Sequence, residues 1–267
     1  MAGKGESVMS FVDMMTDFAP VTLEEMDSVK LMNRIDSKYL TSEHVLLEVL
    51  KDAVAAGYRA LETDGAKINP YDTLYYDTDS LKMFQDHHNR RLVRQKVRTR
   101  CYLTTGLSFL EIKRKNNKGR TGKKRIKIPS GDFNDFRNNT EASEYLARHS
   151  AYTKDQISPV LETLFNRITL VNPDMTERLT IDTSLYFRNH RTGVEASLKD
   201  AVIIELKQDG RAASQMKRIF LDHRVKPIRV SKYCIAVTLT DPHARCGRFR
   251  VKVRRIEKTI NKKITVL

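Results

Sequence analysis

The sequence predicts an α+β fold built on an antiparallel sheet flanked by a few helices, and such a sheet, at about eight strands, can close into a β-barrel. Three observations carry this. Segments with a two-residue period of apolar and polar residues dominate the chain. Helical segments are few and do not recur as regular crossovers between strands. At least five strands place charged residues on one side, and closing such a sheet turns its wet face into an interior channel. A chain of 267 residues can bury a good core in one domain of this kind.

The elements follow in order. Residues 1–20 read as a loosely held leader. Thr22, with Glu24 and Glu25 close behind, starts a helix that runs to residue 32. Residues 33–40 alternate as a short strand. Thr41 and Ser42 cap a helix whose inner face holds Val45, Leu46, Val49, Leu50 and Val54, and Gly57 ends it. Strands at 58–62 and 74–77 are divided by Thr63-Asp64-Gly65 and Asn69-Pro70. Ser80 caps a short helix ending at His87 or His88. Residues 134–149 space Phe136, Tyr145 and Leu146 as a helix does, and strands resume at 162–171, 177–189 and 201–208. A helix over 214–223 turns Met216, Ile219 and Phe220 inward, while 231–239 is short and apolar, helix or strand. Residues 246–267 form a basic, exposed tail, which leaves 21–245 as the sheet domain.

The centre of the chain sets the chemistry. Over 92–128, Arg94, Lys96, Arg98 and Arg100 oppose Val93, Val97 and Cys101, and Glu111, Lys113 and Lys115 oppose Leu110 and Ile112. Beyond a turn at 116–122, Lys123, Arg125 and Lys127 oppose Ile126 and Ile128. Later strands place Arg178, Thr180, Asp182, Ser184, Tyr186 and Arg188 on one face of 177–189, and Glu205 and Lys207 on one face of 201–208. A solvated face is one reading, since antiparallel sheets often keep a wet side. Against it, like charges directly opposed across strands destabilise a sheet, and this face is overwhelmingly positive. It asks for a polyanion, and repeated Arg and Lys suit phosphate oxygens.

Composition agrees. Lys and Arg number 48 against 33 Asp and Glu, a formal charge of +15, which implies an anionic partner. Cys101, Cys234 and Cys246 have no paired spacing, which places the chain in a reducing compartment without a structural zinc site. No stretch has the length of a membrane span. The expected location is the cytoplasm, including the inner face of the membrane beside a membrane-protein partner. Glu205 is acidic among bases: it is either the single carboxylate that a phosphate-bound divalent cation takes, or an ion-pair partner. Neither GxxxxGK[ST] nor GxGxxG occurs, adjacent His87 and His88 do not face one site, and no Ser, His and Asp grouping stands out. Chemistry would therefore rest on positioning and charge neutralisation around phosphate, which phosphoryl transfer permits. Basic strands almost without interleaved aromatics argue against nucleic acid.

The motifs Arg34-Ile35-Asp36-Ser37-Lys38-Tyr39, Leu74-Tyr75-Tyr76-Asp77-Thr78, Val97-Arg98-Thr99-Arg100-Cys101-Tyr102, Leu110-Glu111-Ile112-Lys113-Arg114-Lys115, Ile204-Glu205-Leu206-Lys207 and Ser231-Lys232-Tyr233 occur in this order. In that order the chain resembles VTC domains, the polyphosphate polymerase domains of vacuolar transporter chaperone proteins, and their stand-alone bacterial forms. These belong to the triphosphate tunnel metalloenzymes, relatives of the CYTH proteins. The resemblance implies an eight-stranded tunnel and a metal-dependent phosphotransferase that adds the γ-phosphate of ATP to polyphosphate with manganese or magnesium (Mn2+ or Mg2+). It implies Arg98, Arg100, Lys113, Arg167 and Lys232 at the reacting phosphates. Lys38, Lys123, Ser231 and the basic-face residues Arg125, Arg178, Arg188 and Lys207 would hold the phosphate chain, and Glu205 the metal. Lys124 or Arg125 could stand in for Lys123, and Phe165 stands where the family more usually has Tyr. Partners would be ATP, polyphosphate, triphosphate or pyrophosphate. A triphosphate hydrolase of the same family and a non-catalytic polyphosphate binder are the alternatives, because fold alone does not fix activity.

Overall fold

In the computed structural model of the chain, residues 11–27, 34–210 and 213–267 are described. The chain opens with α1 (Phe11–Thr16) and β1 (Ala19–Val21), where Met14, Met15 and Phe18 are buried. From Phe11 onward the expected loose leader is therefore packed, because its apolar residues find a core; residues 1–10 lie outside the described part. In α2 (Leu23–Asp27), Glu25 N–H donates to the Thr22 hydroxyl at 3.2 Å, and Thr22 N–H donates to the Glu25 carboxylate at 2.8 Å. This reciprocal cap explains the helix start, while its expected run to residue 32 passes outside the described residues.

Next come β2 (Arg34–Ser42) and α3 (Glu43–Ala55), which starts where Ser42 Oγ accepts from Val45 N–H. It ends at Gly57, whose φ of 76° lets Tyr58 N–H reach Ala53 O and Gly57 N–H reach Val54 O. β3 (Arg59–Leu61), β4 (Asn69–Asp77) and α4 (Lys82–His88) follow. Ser80 does not cap α4. The Asp77 carboxylate accepts from the Met83 and Phe84 amides instead, at 2.8 and 2.9 Å, while Leu81 takes the cap position with φ 54°. The three basic runs are strands as expected: β5 (Arg94–Tyr102), β6 (Leu107–Lys115) and β7 (Thr121–Ile128). α5 (Thr140–His149) starts later than the sequence suggests, because Asn139 caps it and residues 136–138 form a tighter turn.

The second half holds β8 (Ser158–Val171), β9 (Glu177–Asn189), β10 (Glu195–Leu198) and β11 (Ala201–Asp209), then α6 (Gln215–Asp222) and β12 (Lys226–Pro227). The ambiguous run at 231–239 is helical, α7 (Lys232–Thr240), because Ser231 Oγ caps it by accepting from Cys234 N–H. The expected tail is also structured. α8 (Gly247–Ile260) buries Phe249 and Ile256, and β13 (Thr265–Val266) pairs with β10.

The strands hydrogen-bond in the order β12–β2–β11–β9–β8–β4–β5–β6–β7, with the shorter strands beside this path. The result is a mixed α/β fold on a large, mainly antiparallel sheet that is open among the described residues, not a closed barrel of eight. Its two ends explain why. β12 is two residues long and contains Pro227, which lacks an amide proton, and β7 is an almost wholly exposed strand carrying Lys123, Lys124 and Lys127. Short, proline-bearing and lysine-rich edges resist further pairing.

The chain divides into two compact units instead of the expected single domain. One comprises residues up to Ile68 with Arg167–Asp182 and Val202–Ile228; the other comprises Asn69–Asn166, Thr183–Ala201 and the residues from Arg229 on. In the first, α1, α3 and α6 cover one face of the strands through Met14, Leu46, Leu50, Ile204, Leu206 and Phe220. In the second, Leu74, Tyr76, Val97, Leu110 and Ile112 pack against Phe133, Phe136 and Leu146. Each sheet face left over is the charged one. Among the described residues, no helix is long and apolar enough to cross a membrane.

A Cβ at position 57 would sit 3.2 Å from Pro173 Cγ in a left-handed backbone. Gly57→Ala is therefore expected to cost about 1–2 kcal/mol from the backbone conformation alone, read as a lower urea midpoint with unchanged cooperativity.

Candidate functional site

In the second unit the strand register sorts the charges into rows. Lys96 faces Lys113 and Lys113 faces Lys123; Arg98 faces Glu111 and Glu111 faces Arg125; Arg100 faces Phe109 and Phe109 faces Lys127. On β4, Tyr75 is opposite Arg98 and Thr73 is opposite Arg100. One row thus sets three lysines side by side. The next row answers it with a single buried carboxylate.

Arg98 donates from Nε and Nη2 to one oxygen of Glu111, at 2.8 and 2.6 Å, and from Nη1 to Tyr75 OH at 3.2 Å. Lys123 forms an ion pair with the other Glu111 oxygen. Burial alone would raise the Glu111 pKa, but Arg98, Arg100 and Lys123 overcome it and hold the carboxyl well below the usual range. Burial, with Arg98 and Arg100 nearby, lowers the Lys123 pKa. The Arg98 guanidinium is held above its ordinary value despite burial, by Glu111 and Tyr75. Arg100 donates to Thr73 Oγ1 at 3.2 Å and lies 5.6 Å from the Tyr71 ring centre. Both arginines are 7 % exposed, so a ligand that reaches them meets cations already stripped of most water. Arg125 is exposed, 4.9 Å from the Phe109 ring centre.

The start of α7 lies over this face. Lys96 Nζ donates to Ser231 Oγ at 2.8 Å, Lys232 Nζ lies 3.0 Å from the Phe165 ring centre, and Tyr233 stacks on Tyr75 at 5.1 Å. Tyr233 OH donates to Asp77 at 2.6 Å. Asp77 therefore fixes α4 and α7 together from full burial. Thr73, Tyr75 and Asp77 were not among the expected site residues, although they share one parity of β4, opposite apolar Leu74 and Tyr76; that alternation was the available signal.

The first unit gathers a second set. Glu205 stands between Lys38 Nζ at 2.5 Å and Lys207 Nζ at 2.6 Å, and its carboxyl is held well below the usual range by these lysines against burial. Lys207 faces Arg178 across the ladder, Glu205 faces Thr180, and Arg167 grips both oxygens of Asp182 at 2.7 and 2.8 Å. Burial, then Arg167 and Arg178, lower the Lys207 pKa. Among the described residues no group of three or more His, Cys, Asp or Glu is placed to hold a metal ion.

The expected residues thus fall into two sets: Lys38, Arg167, Arg178, Glu205 and Lys207, and separately Arg98, Arg100, Lys113, Lys123, Arg125, Ser231 and Lys232. Arg188 joins neither. It is half exposed and paired with Glu195 at 2.7 Å and Glu162 at 3.6 Å. Those carboxylates lie on β10 and β8, where alternation along β9 could not show them; Ser184, between Asp182 and Arg188, has a φ of 51°.

Residues 33–240 match the VTC domain family. Among curated protein sequences none matches the chain. Among solved structures, the fold is similar to that of a candidate adenylate cyclase from Bacillus halodurans, at 12% identity and a TM-score of 0.50, covering 75% of this chain and 96% of that one. A candidate adenylyl cyclase from Hippeastrum, described as having a dominant triphosphatase activity, aligns at 11% identity and a TM-score of 0.47 over 77% of this chain and 95% of that one.

Removing one partner of the Arg98–Glu111 pair strands the other in a buried site. Arg98→Ala and Glu111→Ala are each expected to cost about 3–5 kcal/mol. The double variant should cost clearly less than their sum. Urea unfolding of all four proteins measures this, and additive losses would show that the pair does not couple.

Proposed function

Because this chain belongs to the VTC domain family, we propose that it is a polyphosphate polymerase, transferring the γ-phosphate of ATP to a growing polyphosphate chain. The observation that carries this reading is the packing of Arg98, Arg100, Lys96, Lys113 and Lys123 on one sheet face with Glu111 as the counter-charge among them. Such a face lowers its own repulsion by taking phosphate oxygens.

Phosphoryl transfer needs in-line positioning and stabilisation of charge on the transferred group, with little covalent help from the protein. Arg98 and Arg100 suit that task. Glu111, Tyr75 and Thr73 hold their guanidinium groups in place before any ligand arrives, so little reorganisation accompanies reaction. Lys96, Lys113 and Lys123 repeat along one row and suit the successive phosphates of a linear chain. Lys232, held against Phe165 at the start of α7, adds a further cation next to Ser231, whose hydroxyl accepts from Lys96.

A divalent cation fits the residues present only as a partner of the substrate phosphates. Glu205 is ionised and anionic, and magnesium-like ions are commonly held by one or two carboxylates with phosphate oxygens completing the shell. Glu205 would be its protein ligand, and Lys38 and Lys207, which now share that carboxylate, would turn to phosphate. Bound there, the ion would neutralise charge on phosphate oxygens.

The direct test incubates the protein with ATP and manganese and assays polymer and free phosphate together. Polymer is expected, and free phosphate without polymer would overturn the polymerase reading in favour of hydrolysis. Arg100→Ala should reduce polymer formation by about a hundredfold or more, the loss typical of a charge-stabilising donor, with its circular dichroism unchanged. Glu205→Gln should lower metal-dependent turnover while tripolyphosphate binding without metal persists or tightens. Unchanged turnover across a manganese titration would remove Glu205 from the reaction.

A further inference from the structure

α8 carries cations that this reading does not use. Between Asp241 and Glu257 the sequence has no carboxylate, yet it holds Arg245, Arg248, Arg250, Lys252, Arg254 and Arg255. Buried Phe249 and Ile256 fix which side of the helix faces out. The Phe249 ring lies 5.8 Å from Phe84 and His87 and 5.7 Å from His88, seating α8 against α4. Arg248, Lys252 and Arg255, four and then three residues apart, therefore form one flank, each about a turn from the next. Arg248 donates to His88 O at 3.2 Å, and Lys252 Nζ lies 4.8 Å from the Phe249 ring centre.

This flank lies in the same positive field as the sheet. Burial and then Arg90, Arg229 and Lys96 depress the Lys252 pKa. Burial, Lys96, Arg94, Lys252 and Lys115 together push His87 down to about 3, leaving it neutral beside the Cys234 thiol at 3.2 Å. Lys96 belongs to both groups, since it also heads the lysine row of the sheet.

We propose that the Arg248–Lys252–Arg255 flank of α8, with Arg90 and Arg229, is a second anion-binding surface. It holds the outer length of a linear polyphosphate whose end lies on the sheet's cationic rows, and so rests on the phosphate reading of those rows. Two other polyanionic surfaces fit less well. A helix that enters a lipid interface offers bulky apolar side chains outward, whereas Phe249 and Ile256 face the protein and Val251 is the exposed large apolar residue of α8. Single-stranded nucleic acid is gripped by stacking on aromatic rings, and Phe249, the one aromatic residue in α8, is 2 % exposed.

The test compares tripolyphosphate with a long-chain polyphosphate by titration calorimetry on the full chain and on the Arg248→Ala/Lys252→Ala/Arg255→Ala variant. Long-chain affinity should fall about tenfold or more with a shallower salt dependence, because charge-assisted contacts are lost. Tripolyphosphate affinity should stay within about twofold, since the sheet rows are untouched. Equal loss for both ligands, or no loss for the long chain, overturns the proposal. So does a variant that loses binding to anionic phospholipid vesicles or single-stranded DNA while keeping the long chain. Should the triple variant melt early, Lys252→Ala alone is read in the same two titrations against the same criteria. Arg100→Ala separates the two readings: unchanged tripolyphosphate binding there would remove the sheet face, while the long-chain arm still judges α8.

Discussion

Repulsion among cations on one sheet face is the constraint around which the structure is arranged. Three lysines stand opposite one another across β5, β6 and β7, and two buried arginines lie in the adjacent rows. Cross-strand like charges oppose strand pairing. The sheet forms because Glu111 is completely buried between Arg98 and Lys123 and because the opposite face packs Val97, Leu110 and Ile112 into an apolar core. The carboxylate offsets part of the charge, and the core holds the strands where the remainder stays concentrated. A buried ion pair of this kind is weak evidence of stability in itself; here it leaves an excess of positive charge on the same face.

The same device recurs in the other unit. Glu205 sits between Lys38 and Lys207 with Arg178 opposite Lys207, again one carboxylate among several cations. Both carboxyls are held well below the usual carboxylate range by their neighbours, although burial alone would raise their pKa. The two differ in access. The Glu111 side chain is 0% exposed and that of Glu205 is 25% exposed, so Glu111 holds Arg98 away from solvent while Glu205 keeps part of its carboxylate open to it.

Helix placement depends on a different buried acid. Asp77 takes the amides that start α4 and the hydroxyl of Tyr233 in α7, and Tyr233 in turn stacks on Tyr75, which accepts from Arg98. One carboxylate at the end of β4 therefore ties the two helices to the strand that orients an arginine. Burial raises the Asp77 pKa while three amides and the Tyr233 hydroxyl lower it, and the net direction is upward. Burial thus outweighs the hydrogen bonds in direction, while the same bonds hold the two carboxylate oxygens in place.

Much of this was legible in the sequence wherever period two held without interruption. Strands β5, β6 and β7, the cap at Thr22, the Gly57 stop and the apolar face of α3 depend on neighbours a few residues away, and local periodicity records such neighbours. The six ordered motifs likewise carried the family. Other features depended on partners far along the chain. Whether residues 11–18 and 246–267 pack was decided by cores into which Met14, Phe18, Phe249 and Ile256 fit, and neither core is visible from those segments alone. Arg188 left the basic group because Glu195 of β10 and Glu162 of β8 pair with it, partners that the pattern of β9 does not contain. Asp77 replaced Ser80 as the cap of α4 because a fold brings a strand end to a helix start. The sequence by itself determined which side chains share a strand face and hence the sign of the charge. Tertiary structure alone decided which of those cations is paired, how deeply, and by which carboxylate, because pairing is set by register and burial between strands that the sequence lists far apart.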